Sequence, residues 1–171
     1  MPQPPTLRET LECCPTVPGH EAEALRMVST LFLSRIVAGL PPGAGLRGVL
    51  DRRPIAHRVA VLCVDSVLAG YEGDLTAAEA LVDEAGHAAA HFGDPTLAAL
   101  VAETTGYLAV FDDDPRGAAY CFEDSLTSCR ACGGAPPIST LLGAALVHRL
   151  LGDELRSHAR REEALAIIAA G

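Results

Sequence analysis

Residues 92–137 read FGDPTLAALVAETTGYLAVFDDDPRGAAYCFEDSLTSCRACGGAPP, two apolar segments separated by breaks rich in Gly, Asp and Pro. In the first segment, five residues follow each other at spacings of three and four: Leu97, Leu100, Thr104, Leu108 and Phe111. Such spacing places side chains on one face of an α-helix. Each segment opens with an Asp-Pro pair, Asp94-Pro95 and Asp114-Pro115, in which the aspartate can cap exposed amides and the proline costs little. The stretch therefore predicts two helices joined by an acidic turn at 112–114.

The same breaks recur along the chain at a constant period. One series lies at spacings of 40 and 39 residues: Gly73-Asp74, Asp113-Asp114 and Gly152-Asp153. A second series, at Gly93 and Gly133, is also 40 residues apart. Two interleaved series indicate two elements per repeat, and elements of about 16–19 residues are typical of helices and too long for ordinary strands. We therefore predict an all-α fold with helix hairpins at 54–92, 95–132 and 136–171, the third opened by Pro136 and Pro137.

The chain before residue 54 is less regular. Residues 21–40 carry a helical stripe that ends at Pro41, so we expect residues 1–53 to form an irregular N-terminal helical segment. An alternative remains open at 59–64, where six apolar residues precede Asp65. Such a run can also be a buried parallel strand with a functional aspartate at its end. A helix is favoured because no Gly-rich phosphate turn follows and the run is in phase with the later helices.

Composition and charge restrict the function classes. With 171 residues, 49% of them apolar, the chain is long enough for one domain with a substantial core. All 13 basic residues are arginine, so a P-loop lysine and a Schiff-base lysine are excluded. The net charge is −9, and residues 61–115 contain eleven acidic residues and no arginine. This balance argues against nucleic-acid binding and favours a basic protein or peptide partner. We see no secretory signal or membrane span and expect a cytoplasmic protein with reduced thiols.

The repeats resemble tetratricopeptide (TPR) helix hairpins. With Asp113 at the TPR turn position, Gly106, Ala118 and Ser125 occupy the small-residue positions and Phe122 the large apolar one. The first repeat has Ser66, Ala78 and Ala85 with Val82; the third has Ala145, Ser157 and Ala164 with Arg161. Small residues at these positions let neighbouring helices approach closely. The resemblance implies a short right-handed α-solenoid of antiparallel hairpins over about 54–171.

The period of 39–40 residues is longer than the usual TPR period of about 34. It is more similar to the sensor regions of large LuxR-type, ATP-dependent bacterial transcriptional regulators. FGDP at 92–95, LLGDELRSHARREEALAI at 150–167 and the Ala-rich, Lys-free composition also resemble that group. The resemblance implies a non-catalytic scaffold that binds a protein or peptide in bacterial transcriptional regulation. A module that senses a small-molecule effector is the alternative.

In TPR-like proteins the first helix of each hairpin lines the concave groove. The groove positions correspond here to Cys63, Val67, Tyr71, Glu103, Tyr107, Phe111, Leu142, Leu146 and Arg149. From these we expect the partner-binding residues Tyr71, Glu103, Tyr107, Phe111 and Arg149, since aromatic residues and arginine are enriched at binding hot spots. The same side chains can instead pack against the N-terminal helices. No polar capping helix follows 155–170, so we expect this helix to pair with a partner chain, as in a homo-oligomer, or to be loosely held.

Two motifs could support chemistry. Asp83, His87 and His91 are spaced to share one helix face, half of a metal site, but no third-ligand motif follows. The Cys129-x-x-Cys132 pair could bind zinc or exchange thiols, but it has neither a second pair nor a preceding strand. A thiol- or metal-dependent activity is therefore the weakest of three possibilities. We expect no enzyme activity, no metal, no cofactor and no catalytic residues.

Overall fold

The computed structural model describes residues 55–170, and this range is helical with no strand. Its six helices are α1 (Ile55–Tyr71), α2 (Leu75–Phe92), α3 (Pro95–Phe111), α4 (Pro115–Ala131), α5 (Ile138–Leu150) and α6 (Glu154–Ala170). The predicted all-α class is therefore confirmed for the described range. The irregular segment predicted at 1–53 lies outside it. None of the described helices is both long and apolar enough to cross a membrane.

The turns lie at the breaks of the sequence pattern. Gly73, Gly93, Gly133 and Gly152 have φ angles between 69° and 89°, the left-handed region that glycine enters without strain. Asp113 adopts the same conformation, with φ of 57°, as the single non-glycine case among residues 55–170. Aspartate tolerates this region better than most residues. This explains why Asp113 stands in register with Gly73 and Gly152.

Aspartate side chains cap the helices that follow the turns. Asp94 accepts a hydrogen bond from the Thr96 amide at 2.8 Å, and Asp114 accepts one from the Gly117 amide at 3.0 Å. The helices that follow these two aspartates, α3 and α4, begin at a proline, as expected. The same expectation for Pro136 and Pro137 is wrong, because α5 begins one residue later, at Ile138. Pro137 is extended and offers no side-chain cap, since its ring has no acceptor.

The helices pack as consecutive pairs: α1 with α2, α3 with α4 and α5 with α6. Each later pair packs on the preceding one, because α3 contacts α1 and α2 while α5 contacts α4 and, less extensively, α3. Residues 59–68 of α1 are all buried, on every side of the helix. The strand alternative for 59–64 is therefore wrong. A helix buried on all sides produces the same continuous apolar run as a buried strand.

Small residues allow the close approach of neighbouring helices. Phe122 of α4 is fully buried, and a Cβ atom at Gly106 of α3 or Gly143 of α5 would lie 3.0 or 2.8 Å from its ring. Ser125 of α4 donates a 2.8 Å hydrogen bond to the backbone oxygen of Ala99 on α3. Ser66 of α1 makes the equivalent bond to Ala78 of α2. These small residues therefore allow close packing within the first two pairs and, at Gly143, between the second pair and the third.

Candidate functional site

The candidate groove residues lie on α1, α3 and α5, the first helices of the three pairs. Tyr71, the last residue of α1, is 52% exposed, and Phe111, the last residue of α3, is half-buried. Their ring centroids are 6.4 Å apart with the planes at 67°, an edge-to-face contact. Gly70 allows this approach, since a Cβ atom there would lie 2.8 Å from the Phe111 ring. The structure therefore brings these two predicted site residues together as one aromatic pair at the surface.

Tyr107 connects three helices and is half-buried. Its ring contacts that of Phe122 edge-on at a centroid distance of 5.1 Å, within the α3–α4 pair. Its hydroxyl donates a hydrogen bond to the backbone oxygen of Ser139 on α5 at 3.3 Å. Burial and the Glu103 carboxyl raise the pKa of Tyr107 well above its usual value. Tyr107 thus joins the second pair of helices to the third.

Glu103 is 6% exposed and lies one helical turn before Tyr107 on the same face of α3. Its carboxyl accepts a 2.7 Å hydrogen bond from the hydroxyl of Ser139, in the first turn of α5. A helix N-terminus attracts negative charge, and α5 has no side-chain cap of its own. Glu103 therefore places near this helix start, from a neighbouring helix, an acidic group of the kind that α2, α3, α4 and α6 obtain from a preceding aspartate.

Polar groups surround this carboxyl, but no described arginine or histidine forms an ion pair with it. Burial raises the pKa of Glu103, and the hydrogen bond from Ser139 opposes the shift. Thr140 is fully buried nearby, and within the described part of the chain its hydroxyl makes no hydrogen bond of normal geometry. Burial also raises the pKa of Cys63 to about 12, with a smaller contribution from Glu103. We call Glu103, Ser139, Thr140, Tyr107 and Cys63 the Glu103 cluster.

Arg149, the last predicted binding residue, is exposed near the end of α5. No hydrogen bond or ion pair within the described range involves its side chain. The groove positions Leu142 and Leu146 on the same helix are also exposed. Of the five predicted residues, Tyr71, Phe111 and Arg149 are thus available at the surface, whereas Glu103 and Tyr107 contribute mainly to contacts between helices.

An ionic network that the sequence analysis missed links α4, α5 and α6. Glu123 of α4 accepts hydrogen bonds from Arg160 of α6 at 2.6 and 2.8 Å, and its Oε1 lies 2.9 Å from Nε2 of the buried His148 of α5. Glu163 binds both Arg160 and Arg130. Partial burial acts to raise the pKa of Glu123, but the bonds from Arg160 and His148 outweigh it and lower the pKa. The partners are 25 and 37 residues apart in the chain, so no local pattern indicates them.

The structure adds no ligands to the two motifs that could support chemistry. Among residues 55–170 no group of three or more His, Cys, Asp or Glu side chains could hold a metal ion. His87 donates from Nδ1 to the backbone oxygen of Asp83 at 2.8 Å. Cys129 is buried whereas Cys132 is exposed. The two cysteines of this motif therefore differ in their exposure to solvent.

Comparison with known proteins gives no match: no family model, no curated protein and no solved structure is similar to this chain.

Proposed function

We propose that this chain is a non-catalytic scaffold that binds a protein or peptide along α1, α3 and α5. In this proposal the helix pairs are TPR-like hairpins and form a short right-handed α-solenoid. The packing of each pair on the preceding one supports that arrangement. The observation that carries the proposal is the surface pair of Tyr71 and Phe111, which occupy equivalent positions at the ends of α1 and α3.

Recognition would use a few anchors on a rigid surface. Tyr71 and Phe111 offer aromatic area with little side-chain entropy to lose, and Arg149 offers a charged anchor on α5. Leu142 and Leu146 add exposed apolar surface next to Arg149. Glu103 and Tyr107 both form hydrogen bonds with Ser139 and so hold α3 and α5 at a constant distance. They are positioning residues in this proposal.

Charge favours a basic ligand. Residues 61–115 contain all of the excess negative charge, and the acidic turn at 112–114, directly after Phe111, is exposed. Complementary charge speeds association and selects among partners more than it adds affinity. The cellular role that we propose, from the resemblance described above, is in a bacterial, cytoplasmic regulator of transcription of the LuxR type.

A second candidate function is the sensing of a polar effector between α3 and α5. It is supported by the Glu103 cluster, in which, among residues 55–170, the buried carboxyl has no basic partner and the Thr140 hydroxyl has no hydrogen bond of normal geometry. Unsatisfied buried polar groups are costly, so a small change in the position of α5 could expose them to a polar molecule. A bound effector detected by native mass spectrometry of the purified chain would favour this function.

The test of scaffold function is a selection of basic and neutral peptides from a random library on the immobilised full chain. Selected peptides are then titrated against wild type, Tyr71→Ala and Tyr120→Ala. Tyr120 is a suitable control because it is 75% exposed but lies on α4, outside the groove positions. We expect Tyr71→Ala to weaken binding about tenfold or more with an unchanged melting temperature, and Tyr120→Ala to have no effect. Equal binding by all three chains, or no selected peptide, contradicts the groove.

A further inference from the structure

Among the residues that the structure describes, helix α6 is covered on one face only. Ala164 is fully buried, Ile167 packs on the same core, and Arg160 binds Glu123. The other face exposes Leu155 by 86%, Leu165 by 50% and Ile168 by 56%. Of the ten large apolar side chains that are exposed in the described part of the chain, seven lie between residues 142 and 168. Such a concentration of apolar surface is characteristic of an interaction site.

The exposed face of α6 has a symmetric pattern. Leu155, His158, Glu162, Leu165 and Ile168 follow each other at spacings of three and four residues and so share one side of the helix, with Arg161 beside Glu162. Leu155 and Ile168 are equally distant from the midpoint between Arg161 and Glu162, and so are His158 and Leu165. We call this set of six residues the α6 stripe. An antiparallel copy of the same helix therefore presents a complementary order of side chains.

We propose that the α6 stripe is a self-association surface on which α6 of a second copy packs antiparallel about a two-fold axis. Leu155 then faces Ile168 of the second copy, and His158 faces its Leu165. Arg161 faces Glu162 of the second copy, and the symmetry makes each contact twice. Apolar side chains become buried at both ends of the stripe, with opposite charges paired at its centre.

The charges at the centre of the stripe are available for this pairing. Within one copy, Arg161 Nε and Glu162 Oε1 are 3.9 Å apart, and both side chains are more than half exposed. His158 accepts a 3.0 Å hydrogen bond at Nδ1 from Arg161, which keeps the guanidinium on this face. Each charged group therefore retains hydrogen-bonding capacity towards an opposite charge on another molecule.

A second copy fits this face better than another hairpin of the same type. In the hairpin register of the proposed scaffold, on which this comparison rests, Arg161 corresponds to Phe122 of α4. Phe122 is fully buried against α5, since a Cβ atom at Gly143 would lie 2.8 Å from its ring. An arginine in that place would be buried without a partner beneath a further hairpin, which is unfavourable. In the antiparallel dimer, by contrast, Arg161 forms an ion pair with Glu162 of the second copy.

The test is sedimentation equilibrium of the full chain with variants that change only exposed side chains. We expect a dimer for wild type. Arg161→Glu and Glu162→Arg, made singly, place like charges opposite each other and should each raise the dimer dissociation constant about tenfold or more. The double variant restores opposite charges and should dimerise about as tightly as wild type. Leu165→Asp should abolish the dimer, whereas Tyr120→Asp on α4 should leave it unchanged.

A chain that remains monomeric overturns the proposal. A dimer that resists both single charge reversals, or that the double variant fails to restore, overturns the antiparallel pairing. Circular dichroism identifies any variant that fails to fold, and the charge reversals decide the outcome if Leu165→Asp is unfolded. The peptide-binding test is independent, because Tyr71 is outside the α6 stripe. Loss of peptide binding in Tyr71→Ala must leave the dimer intact, so failure of one proposal is distinguishable from failure of the other.

Discussion

The hydroxyl of Ser139, in the first turn of α5, donates a 2.7 Å hydrogen bond to the buried carboxyl of Glu103 on α3. Together with the bond from the Tyr107 hydroxyl to the Ser139 backbone, it links the second helix pair to the third across 32 and 36 residues of chain. The linkage places an acidic group at a helix start that has only a proline before it. The relative position of α3 and α5 therefore depends on a group whose protonation can change.

Stability should depend on pH through Glu103. Its pKa is higher in the folded protein than in the unfolded chain because of burial. The folded state therefore holds the proton more tightly, and the stability that this provides is present at low pH and is lost as pH rises through the folded pKa. We expect Glu103→Gln, which avoids a buried charge, to gain stability relative to wild type as pH rises above the ordinary carboxyl pKa. Urea unfolding at a series of pH values measures the difference.

The control for this series is Glu79→Gln, which removes an exposed carboxylate from α2 and so reports the general effect of net charge. The prediction is contradicted if the gain in free energy of unfolding of Glu103→Gln over wild type grows with pH no more than that of the control. Ionisation of Glu103 would then not destabilise the folded protein.

Gly106→Ala should destabilise the protein by about 1–3 kcal/mol, because the new methyl group meets the Phe122 ring at 3.0 Å in a tightly packed site. The double variant Gly106→Ala/Phe122→Leu should lose less stability than the sum of the losses in the two single variants, since leucine leaves space for the new methyl group. Denaturant unfolding of the three variants gives the coupling energy.

Gly86→Ala is the matched control for this prediction, as a glycine within α2 whose added Cβ would meet only a Val101 methyl group at 3.7 Å. There we expect stabilisation by about 0.5–1 kcal/mol, from the better helix propensity of alanine. If Gly86→Ala destabilises the protein as much as Gly106→Ala does, packing against Phe122 does not explain the loss of stability in Gly106→Ala.

Asp113→Gly should stabilise the protein by up to about 1 kcal/mol, because Asp113 has a left-handed backbone that glycine adopts without strain. The reverse change at the equivalent turn, Gly73→Asp, should destabilise it. A Cβ atom at Gly73 would meet no atom of the described residues within 4 Å, so the effect there reports backbone conformation. Thermal unfolding measures both, and shifts of the same sign in the two variants would contradict the shared turn geometry.

Arg160→Met should destabilise the protein by about 1–3 kcal/mol, since it removes two of the three hydrogen bonds to the Glu123 carboxylate and leaves only the one from His148. Arg58→Met removes the exposed ion pair between Arg58 and Glu84 and should cost less than about 0.5 kcal/mol. Glu123 has a lowered pKa, so its contribution is present at neutral pH and is lost as pH falls through the folded pKa. The two variants should therefore converge in stability on acidification, as urea unfolding can show.

Helix positions could be derived from sequence because turn chemistry is local. Asp94 and Asp114 each precede a proline, and each caps the helix that the pattern predicts. At Pro137 the sequence pattern was wrong by one residue, since α5 begins at Ile138 and has no side-chain cap. It was ambiguous at 59–64, since burial on all sides removes the periodicity that distinguishes a helix from a strand.

The candidate site could be derived only as a set of positions. The TPR resemblance, which assigns the groove to the first helix of each pair, implied the positions Tyr71, Glu103, Tyr107, Phe111 and Arg149. It could not specify that Glu103 and Tyr107 contact Ser139, while Tyr71 and Arg149 remain exposed. Those outcomes depend on how far α5 lies from α3, a distance that packing against Phe122 sets.

The sequence by itself determined the breaks between the helices of the described range and most of their limits, the start of α5 excepted, because caps, glycine turns and apolar spacing act within a few residues of the chain. Only the tertiary structure decided which polar groups meet. The Glu103 carboxyl and the network around Glu123 join residues 25 to 37 positions apart, and the exposed face of α6 is recognised only once its other face is packed. Such contacts depend on the relative placement of whole helices, which is a property of the packed core and not of any local stretch of chain.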